Sequence, residues 1–243
     1  MRKVYIIGAG PGDPELLTVK AKKLLTEYAE VVVHDRLISA EILNLIPKNV
    51  ERIFAGKEPE LHYMKQEDIN IELVNHARAG KKVVRLKGGD PFIFGRGGEE
   101  AEYLKENNID HEIVPGITAA MGGAAEYLIP LTYRGVADGA ILITGHNCKD
   151  EIPALDYEYL AKTNNTIVIY MGIKNIGIIT AKLIESGKNP ETPACAVFNA
   201  TYESSGIIYS TLAVLAQEIK ASGRANPAVI YIGDVVKISQ RLA

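Results

Sequence analysis

Residues 83–100 read VVRLKGGDPFIFGRGGEE, and this stretch is the most informative one for the fold. A short strand, Val83–Leu86, runs into a loop in which five of the eleven residues from 88 to 98 are glycine. Glycines at the carboxyl end of a strand let the backbone approach a ligand, which is the usual place of a binding site in an open α/β sheet. Phe92–Phe94 offer an apolar wall, and Arg96 offers a fixed positive charge. The pattern therefore predicts a ligand-binding loop rather than a surface turn with incidental glycines.

Short β-branched runs alternate with helical patterns on both sides of this loop. In the first half, strands are predicted at 4–7, 31–33 and 83–86, and helices at 15–28, 67–79 and 99–107. In the second half, strands are predicted at 140–143, 166–170, 194–198 and 228–232, with an antiparallel edge strand at 207–209, and helices at 118–127, before Gly187 and before Gly223. This alternation predicts an α/β fold of two lobes, 1–112 and 113–243, each a mostly parallel sheet flanked by helices.

Composition excludes several classes of protein. The chain has 243 residues, of which 47% are hydrophobic and 23% charged, and its net charge of −3 disfavours a nucleic-acid or membrane surface. It has no apolar run close to 20 residues, so we expect neither a signal peptide nor a transmembrane helix. Cys148 and Cys195 are far apart in sequence and fit free thiols in a cytoplasmic protein. The five histidines lack metal-ligand spacing, so no metal site is expected.

The first strand also ends in a glycine-rich turn, GAGPGDP at 8–14. Such a turn invites a dinucleotide-binding interpretation and a nicotinamide- or flavin-dependent oxidoreductase. The fingerprint is not met, because its last glycine is replaced by Asp13 and Pro11 lacks a backbone donor. Asp13 also repels phosphate. The turn therefore disfavours a dinucleotide cofactor.

Several ordered motifs resemble those of the tetrapyrrole C-methyltransferases, and in particular of the members that methylate uroporphyrinogen III. They are GAGPGDPELLT at 8–18, HDRLIS at 34–39, AGK at 55–57, RLKGGDPFIFGRGGEE at 85–100, VPGITAA at 114–120, IPLTYR at 129–134, YMG at 170–172 and PAVIYIG at 227–233. The resemblance covers essentially the whole chain. It implies a dimeric, two-lobed tetrapyrrole methylase fold with the active site in the cleft between the lobes.

The resemblance also implies S-adenosylmethionine as methyl donor, converted to S-adenosylhomocysteine. The positions that match the family's cofactor contacts are Pro11, Gly88, Gly89, Asp90, Ile93, Thr118, Ala119, Met171 and Ala200. Glycines, small residues and one aspartate suit this ligand, because its adenosine needs backbone hydrogen bonds and an apolar slot while its methionine part carries positive charge.

The family's proton acceptor and proton donor correspond to Asp35 and Lys57. Most of the rate acceleration should come from the alignment of the attacking pyrrole carbon, the methyl group and the sulfur atom. Acid–base catalysis should contribute less. Two alternatives stay open: Asp35 could form a salt bridge to a neighbouring arginine, and Lys57 could bind a substrate carboxylate.

Substrate charge gives a second argument. Uroporphyrinogen carries eight carboxylates, so its pocket should be basic even on an acidic protein. Basic residues within the matching motifs are Arg36, Lys57, Arg85, Lys87, Arg96 and Arg134. Arg96 and Arg134 are the preferred substrate contacts, and Arg36 and Tyr133 complete the predicted set; each cation could instead be a solvated surface charge.

The chain departs from the family pattern at four places. Glu58 stands where the family commonly has arginine, Tyr133 replaces a histidine, and His34 replaces a tyrosine. Ala200 replaces a glycine and lacks its backbone freedom. These changes bear on substrate choice rather than on fold or cofactor.

The resemblance implies methylation of uroporphyrinogen III at C2 and C7, which gives precorrin-2 through precorrin-1, in sirohaem or cobalamin biosynthesis. One alternative is another precorrin C-methyltransferase of the cobalamin pathway, and a role in haem d1 synthesis is also open. A non-catalytic module that binds S-adenosylmethionine is a further alternative. No nucleic acid or membrane partner is expected.

Overall fold

The computed structural model describes residues 3–56, 64–147 and 151–243, and its contacts divide the chain after Thr118 into two units. The first unit contains β1 (Val4–Gly8), α1 (Val19–Lys23), β2 (Val31–His34), α2 (Ala40–Asn44), β3 (Glu51–Phe54), α3 (Gln66–Arg78), β4 (Val83–Lys87), α4 (Gly97–Glu106) and β5 (His111–Val114). Its five strands lie in the order β3-β2-β4-β1-β5, and every neighbouring pair is parallel. The predicted parallel α/β architecture is confirmed for this unit. The predicted domain boundary at 112–113 falls inside β5.

The central strands of this sheet were predicted and its edge strands were not. β2 and β4 are buried at every position, which matches their β-branched sequences. β3 and β5 read ERIF and HEIV, with only two strongly apolar residues each. An edge strand is covered on fewer sides, so it needs fewer apolar residues and leaves a weaker signal.

Parallel pairing brings four functional segments to one edge of the sheet. The carboxyl ends of β1, β2, β4 and β5 lead into the GAGPG turn, Asp35, the GGDP loop and Pro115. The register keeps these ends level, with Gly8 beside Lys87 and His34 beside Leu86. The loops that follow parallel strands form the usual ligand site of an α/β sheet.

The second unit contains α5 (Ala119–Glu126), β6 (Ala140–Thr144), α6 (Tyr157–Lys162), β7 (Thr166–Tyr170), α7 (Ile176–Glu185), β8 (Pro193–Phe198), β9 (Gly206–Thr211), α8 (Leu215–Ser222), β10 (Ala228–Ile232) and α9 (Val235–Leu242). Its strand order is β6-β7-β10-β8-β9. Cys195 on β8 is a buried free thiol, whereas Cys148 lies outside the described residues. Within the described ranges, no helix is both long and apolar enough to cross a membrane.

The second sheet is mixed, so the prediction of a mostly parallel sheet is corrected here. Only β6 and β7 pair in parallel, and β10 runs antiparallel to both β7 and β8. β8 and β9 are also antiparallel, because the connection between them is short enough for a hairpin. Strand direction leaves no mark on a sequence that is buried on both faces, so AVIYI reads the same in either orientation.

A buried lysine holds the end of α6 in this unit. The Lys188 ammonium donates to the carbonyl oxygens of Leu160, Ala161 and Thr163 at 3.1, 3.4 and 3.2 Å. The Leu160 and Ala161 oxygens have no partner within the helix because they belong to its last turn, and Thr163 directly follows the helix. We expect Lys188→Met to lower the free energy of unfolding by about 2 kcal/mol, because it removes charge-assisted hydrogen bonds. Urea denaturation measures this, with the exposed Lys220→Met on α8 as control; equal stability of the two variants would contradict it.

Candidate active site

The two glycine loops of the first unit are hydrogen-bonded to each other. Gly10 N donates to Gly89 O at 3.1 Å, and Gly89 N donates to Gly10 O at 2.8 Å. The turn that contains Pro11 therefore lies against the predicted cofactor residues Gly88–Asp90. Ser39 joins them from the HDRLIS motif, because its hydroxyl donates to Gly12 O at 2.6 Å. The structure thus brings together three motifs that are far apart in sequence.

Asp90 connects this pair of loops to a third one. One carboxylate oxygen accepts from Phe92 N at 2.8 Å and the other accepts from Gly116 N at 3.0 Å. The chain is tightly packed here, because a Cβ atom on Gly8 would lie 2.6 Å from Gly116 N. Glycine is therefore required where the loops cross. Asp90 fixes the VPGIT segment, which leads to the buried Thr118.

The segment after Asp90 exposes apolar side chains and has an unusual backbone. Phe92 is 60% exposed and Phe94 is also exposed, while Ile93 is half-buried. Phe94 and Arg96 have φ angles of 52° and 58°, in the left-handed region that residues other than glycine rarely occupy. Such conformations concentrate at functional sites. This geometry agrees with the predicted ligand-binding loop.

Arg96 is exposed at the start of α4 and forms a bidentate pair with Glu99. Its Nε and Nη2 atoms donate to the Glu99 carboxylate at 3.0 and 2.6 Å, and this lowers the pKa of Glu99. The guanidinium is thus oriented by its own helix. Arg36 is also exposed, in the turn after β2.

Asp35 follows β2, and its carboxylate accepts a hydrogen bond from Arg85. Its other oxygen lies 3.9 Å from the Lys87 ammonium, and its backbone N donates to Leu86 O at 3.1 Å. The salt bridge to an arginine is therefore present. The Asp35 side chain is still 31% exposed, so it can also meet a ligand.

Arg85 and Lys87 are buried, with exposures of 1% and 2%, so the expectation that they bind substrate carboxylates or face solvent is wrong. Both donate to the same oxygen of Glu100, Arg85 Nε at 3.0 Å and Lys87 Nζ at 2.8 Å, and Gln66 Nε2 donates there at 3.1 Å. Burial lowers the pKa of Lys87, and Arg85 lowers it further. Burial opposes the charge of Arg85, but Glu100 and Asp35 outweigh it and raise its pKa.

Glu100 was not predicted as a site residue. It is the last residue of GGEE in the first turn of α4, where an acidic residue is ordinarily explained by the helix dipole. Its full burial becomes visible only in the three-dimensional structure, where α4 packs beside β4.

In the second unit, the start of α5 lies against the end of β7. Ala120 N donates to the Tyr170 hydroxyl at 3.0 Å, and the Tyr231 hydroxyl donates to Ala120 O at 2.9 Å. Ala119 is the first residue of α5, and Met171 follows Tyr170 at the end of β7. Met171 is exposed and has a φ of 53°. The Tyr170 side chain thus links the segment that carries Ala119 to the strand that precedes Met171.

Ala200 lies in the β8–β9 connection and is buried. The left-handed φ angles of this connection belong to Asn199, at 48°, and Thr201, at 67°. Ala200 itself has no positive φ, so alanine in place of glycine causes no backbone strain here. It also lies beside α5, because a Cβ atom on Gly123 would be 3.3 Å from the Ala200 Cβ.

Tyr133 and Arg134 lie in a turn that is closed by hydrogen bonds between Tyr133 and Ala137, both at 2.9 Å. Both predicted substrate residues are exposed, and Gly135 supplies the positive φ of 75° that the turn requires. Lys57 and Glu58 lie outside the described residues, so the predicted proton donor and the acidic departure have no structural account.

Residues 3–216 match the sequence model of the Tetrapyrrole (Corrin/Porphyrin) Methylases. The chain belongs to this family. A relative from Bacillus subtilis (strain 168), "Uroporphyrinogen-III C-methyltransferase", is 47% identical over 242 residues, which are 100% of this chain and 94% of the relative. A "Siroheme synthase" from Nitrosospira multiformis is 47% identical over 99% of this chain, and the chain spans 51% of that relative's length.

Solved structures agree with the family assignment. A uroporphyrin-III C-methyl transferase from Thermus thermophilus, complexed with S-adenyl homocysteine, has a TM-score of 0.85 and 38% identity, covering 98% of this chain and 100% of that one. A cobalt precorrin-4 methyltransferase also has a TM-score of 0.85, with 31% identity over 96% of this chain and 95% of that one. The two-unit α/β fold is therefore that of the tetrapyrrole methylases.

Proposed function

We propose that this chain transfers methyl groups from S-adenosylmethionine to C2 and C7 of uroporphyrinogen III, giving precorrin-2 through precorrin-1. The observation that carries the proposal is the 47% identity to a uroporphyrinogen-III C-methyltransferase along 94% of that enzyme. Identity to the structurally similar precorrin-4 enzyme is 31%. Uroporphyrinogen III is therefore favoured as the substrate over a later corrinoid intermediate.

The proposed cofactor residues suit S-adenosylmethionine. The crossing loops of the first unit offer backbone at Pro11, Gly88 and Gly89 with little side-chain bulk, and Asp90 and Ile93 add a carboxylate and an apolar contact. Thr118, Ala119, Met171 and Ala200 complete the set. Small residues allow close approach of an adenosine, and a carboxylate suits its hydroxyl groups or the positively charged methionine part. When bound, this cofactor supplies the electrophilic methyl group.

In the proposed reaction a pyrrole β-carbon attacks the sulfonium methyl, and sulfur keeps the electron pair of the broken bond. The ring then carries a positive charge until a proton leaves. Asp35 is the proposed acceptor of that proton, and Lys57 the proposed donor for proton movements elsewhere in the ring. Most of the acceleration comes from alignment of the reacting atoms, with acid–base help secondary.

Arg36, Arg96, Arg134 and Tyr133 are the proposed substrate-binding residues. All four side chains are exposed, three of them carry positive charge, and guanidinium binds carboxylate with two hydrogen bonds. The departure at Tyr133 replaces a side chain that can be charged with a neutral hydroxyl. It still offers a hydrogen-bond donor to a carboxylate.

Labelled methyl transfer tests this function. The purified protein is incubated with labelled S-adenosylmethionine and either enzymatically made uroporphyrinogen III or precorrin-2, which already carries both methyl groups. We expect label in the tetrapyrrole only with uroporphyrinogen III. Label only in precorrin-2 would assign the chain to the next methylation step. Label in neither would contradict the proposal and leave a still later precorrin methyltransferase or the non-catalytic binding module.

Arg96 should bind substrate and not cofactor. We expect Arg96→Asn to raise KM for uroporphyrinogen III about tenfold, because a charge-assisted pair to a carboxylate is lost, while Kd for S-adenosylhomocysteine changes less than about twofold. Asparagine is chosen because it tolerates the positive φ of this position. The exposed Arg241→Asn on α9 is the control. A similar loss of affinity for both ligands would contradict the assignment.

A homodimer, a cytoplasmic location, and a role in sirohaem or cobalamin biosynthesis belong to the same proposal. The siroheme synthases among the relatives support the sirohaem pathway, and the absence of any apolar membrane-crossing helix from the described residues is compatible with the cytoplasm. Light scattering coupled to size-exclusion chromatography measures the oligomeric state, and a monomer at micromolar concentration would remove the dimer from the proposal.

A further inference from the structure

The ion-pair cluster consists of Asp35, Arg85, Lys87 and Glu100, and Gln66 is hydrogen-bonded to it. Arg85 and Lys87 are alternate residues of β4, so their side chains leave the same face of the sheet. Both meet Glu100 of α4, and Gln66 of α3 completes the shell. Asp35 is the partly exposed member of the ion-pair cluster, and the other three charges are buried.

The hydrogen bonds are concentrated on one atom. Glu100 Oε1 accepts from Arg85, Lys87 and Gln66, whereas Glu100 Oε2 has no hydrogen-bond partner among the residues that the structure describes. A buried carboxylate oxygen without a partner is costly. Buried ion pairs are moreover often no more stabilising than apolar residues of the same size. A gain in stability is therefore a weak explanation for this carboxylate.

The charges explain the arrangement better. Arg85 and Lys87 are two cations in a buried site, and Glu100 and Asp35 are the carboxylates that face them. Glu100 holds Arg85 Nε and Lys87 Nζ at 3.0 and 2.8 Å, and the same two cations contact the Asp35 carboxylate. Hydrogen bonds from a cation are stronger to a carboxylate than to a neutral acceptor. Glu100 therefore fixes the two cations that in turn position Asp35.

In the sequence, the glycine loop separates Glu100 from Arg85 and Lys87. Arg85 and Lys87 precede the GGDPFIFGRGG segment, and Glu100 follows it on the first turn of α4. The same contacts thus join both ends of the loop that carries Asp90, and they join this loop to Asp35. Glu100 itself is fully buried, whereas Asp35 is partly exposed.

We propose that Glu100 is a positioning residue for methyl transfer, which acts on Asp35 through its hydrogen bonds to Arg85 and Lys87. This inference rests on the proposed function and on the proposed role of Asp35.

Glu100→Gln is the variant that tests the proposal. It keeps the side-chain shape and the accepting Oε1 but removes the charge. We expect the turnover number for uroporphyrinogen III to fall about tenfold. KM for uroporphyrinogen III and Kd for S-adenosylhomocysteine should change less than about twofold, because no ligand contact is removed. Glu102→Gln, an exposed change two residues along α4, should leave all three values unchanged.

A double-mutant cycle with Asp35→Asn separates positioning from a purely structural role. If Glu100 acts through Asp35, Glu100→Gln does not lower the turnover number any further once Asp35 has been replaced. The same loss in both backgrounds, or no loss in either, would overturn the proposal. Should Glu100→Gln not fold, Glu100→Asp takes its place, because its shorter side chain keeps the charge but withdraws the oxygen from Arg85 and Lys87. The same loss of turnover, and the same dependence on Asp35, are expected.

Failure of the wider proposals has a different signature. If the wild-type protein methylates a precorrin instead of uroporphyrinogen III, the proposed function fails and the same cycle is measured on the precorrin. If Asp35→Asn alone retains normal turnover, the role of Asp35 fails and the positioning role of Glu100 is overturned with it.

Discussion

Asp35→Asn is expected to lower the turnover number for uroporphyrinogen III by about 10²- to 10⁴-fold, because a positioned base contributes a factor of that size. Asparagine keeps an oxygen that can accept the hydrogen bond from Arg85, so the local structure should persist. Kd for S-adenosylhomocysteine should stay within about twofold. Steady-state kinetics measures the first value and titration calorimetry the second.

The control for this variant is Asp110→Asn, an exposed change in the same unit. Thermal unfolding of Asp35→Asn shows whether the buried cations lose their arrangement when one carboxylate becomes neutral. Near-normal turnover by a folded Asp35→Asn protein would mean that Asp35 serves only as the salt-bridge partner of Arg85. The base would then have to be sought elsewhere.

Asp90→Ala is expected to raise Kd for S-adenosylhomocysteine about 100-fold, or ~3 kcal/mol. The carboxylate holds Phe92 N and Gly116 N, and it is itself a proposed cofactor contact. Its loss frees the two loops that it connects. It also removes from the proposed binding site a charged group that can hydrogen-bond to the cofactor. Titration calorimetry gives Kd directly, without depending on the identity of the tetrapyrrole.

Asp90→Asn gives a graded comparison at the same position. Its amide oxygen can replace one carboxylate oxygen as acceptor, but its NH₂ group cannot accept from the second backbone N–H. Its Kd should therefore lie between those of the wild type and Asp90→Ala. Wild-type affinity in Asp90→Ala would show that Asp90 organises neither the loops nor the cofactor.

Many strands and loops of the first unit could be predicted because residues close together in sequence determine them. The β-branched run before Gly88 indicates a strand, and the glycines after it indicate close approach of backbone, which the Gly10–Gly89 pairing shows. The edge strands β3 and β5 were missed because half of their residues are polar. The direction of β10 could not be predicted, because a strand buried on both faces carries no sign of which way it runs.

The site divides in the same way. The resemblance of HDRLIS to the family motif indicated Asp35, and the local pattern of glycines after a strand indicated the loops. The burial of Arg85 and Lys87 depends on Glu100 and Gln66, which come from other elements and are recognised only when the helices are packed on the sheet. Ala200 shows the reverse case: its lack of glycine's backbone freedom was expected to matter, but the left-handed φ angles belong to its neighbours Asn199 and Thr201.

The position and number of transferred methyl groups test the central claim most directly. Uroporphyrinogen III is incubated with the protein and S-adenosylmethionine that carries ¹³C in its methyl group, and the product is examined by mass spectrometry and NMR. We predict two labelled methyl groups, at C2 and C7. A product labelled at any other ring carbon, or no labelled tetrapyrrole at all, would contradict the proposed function.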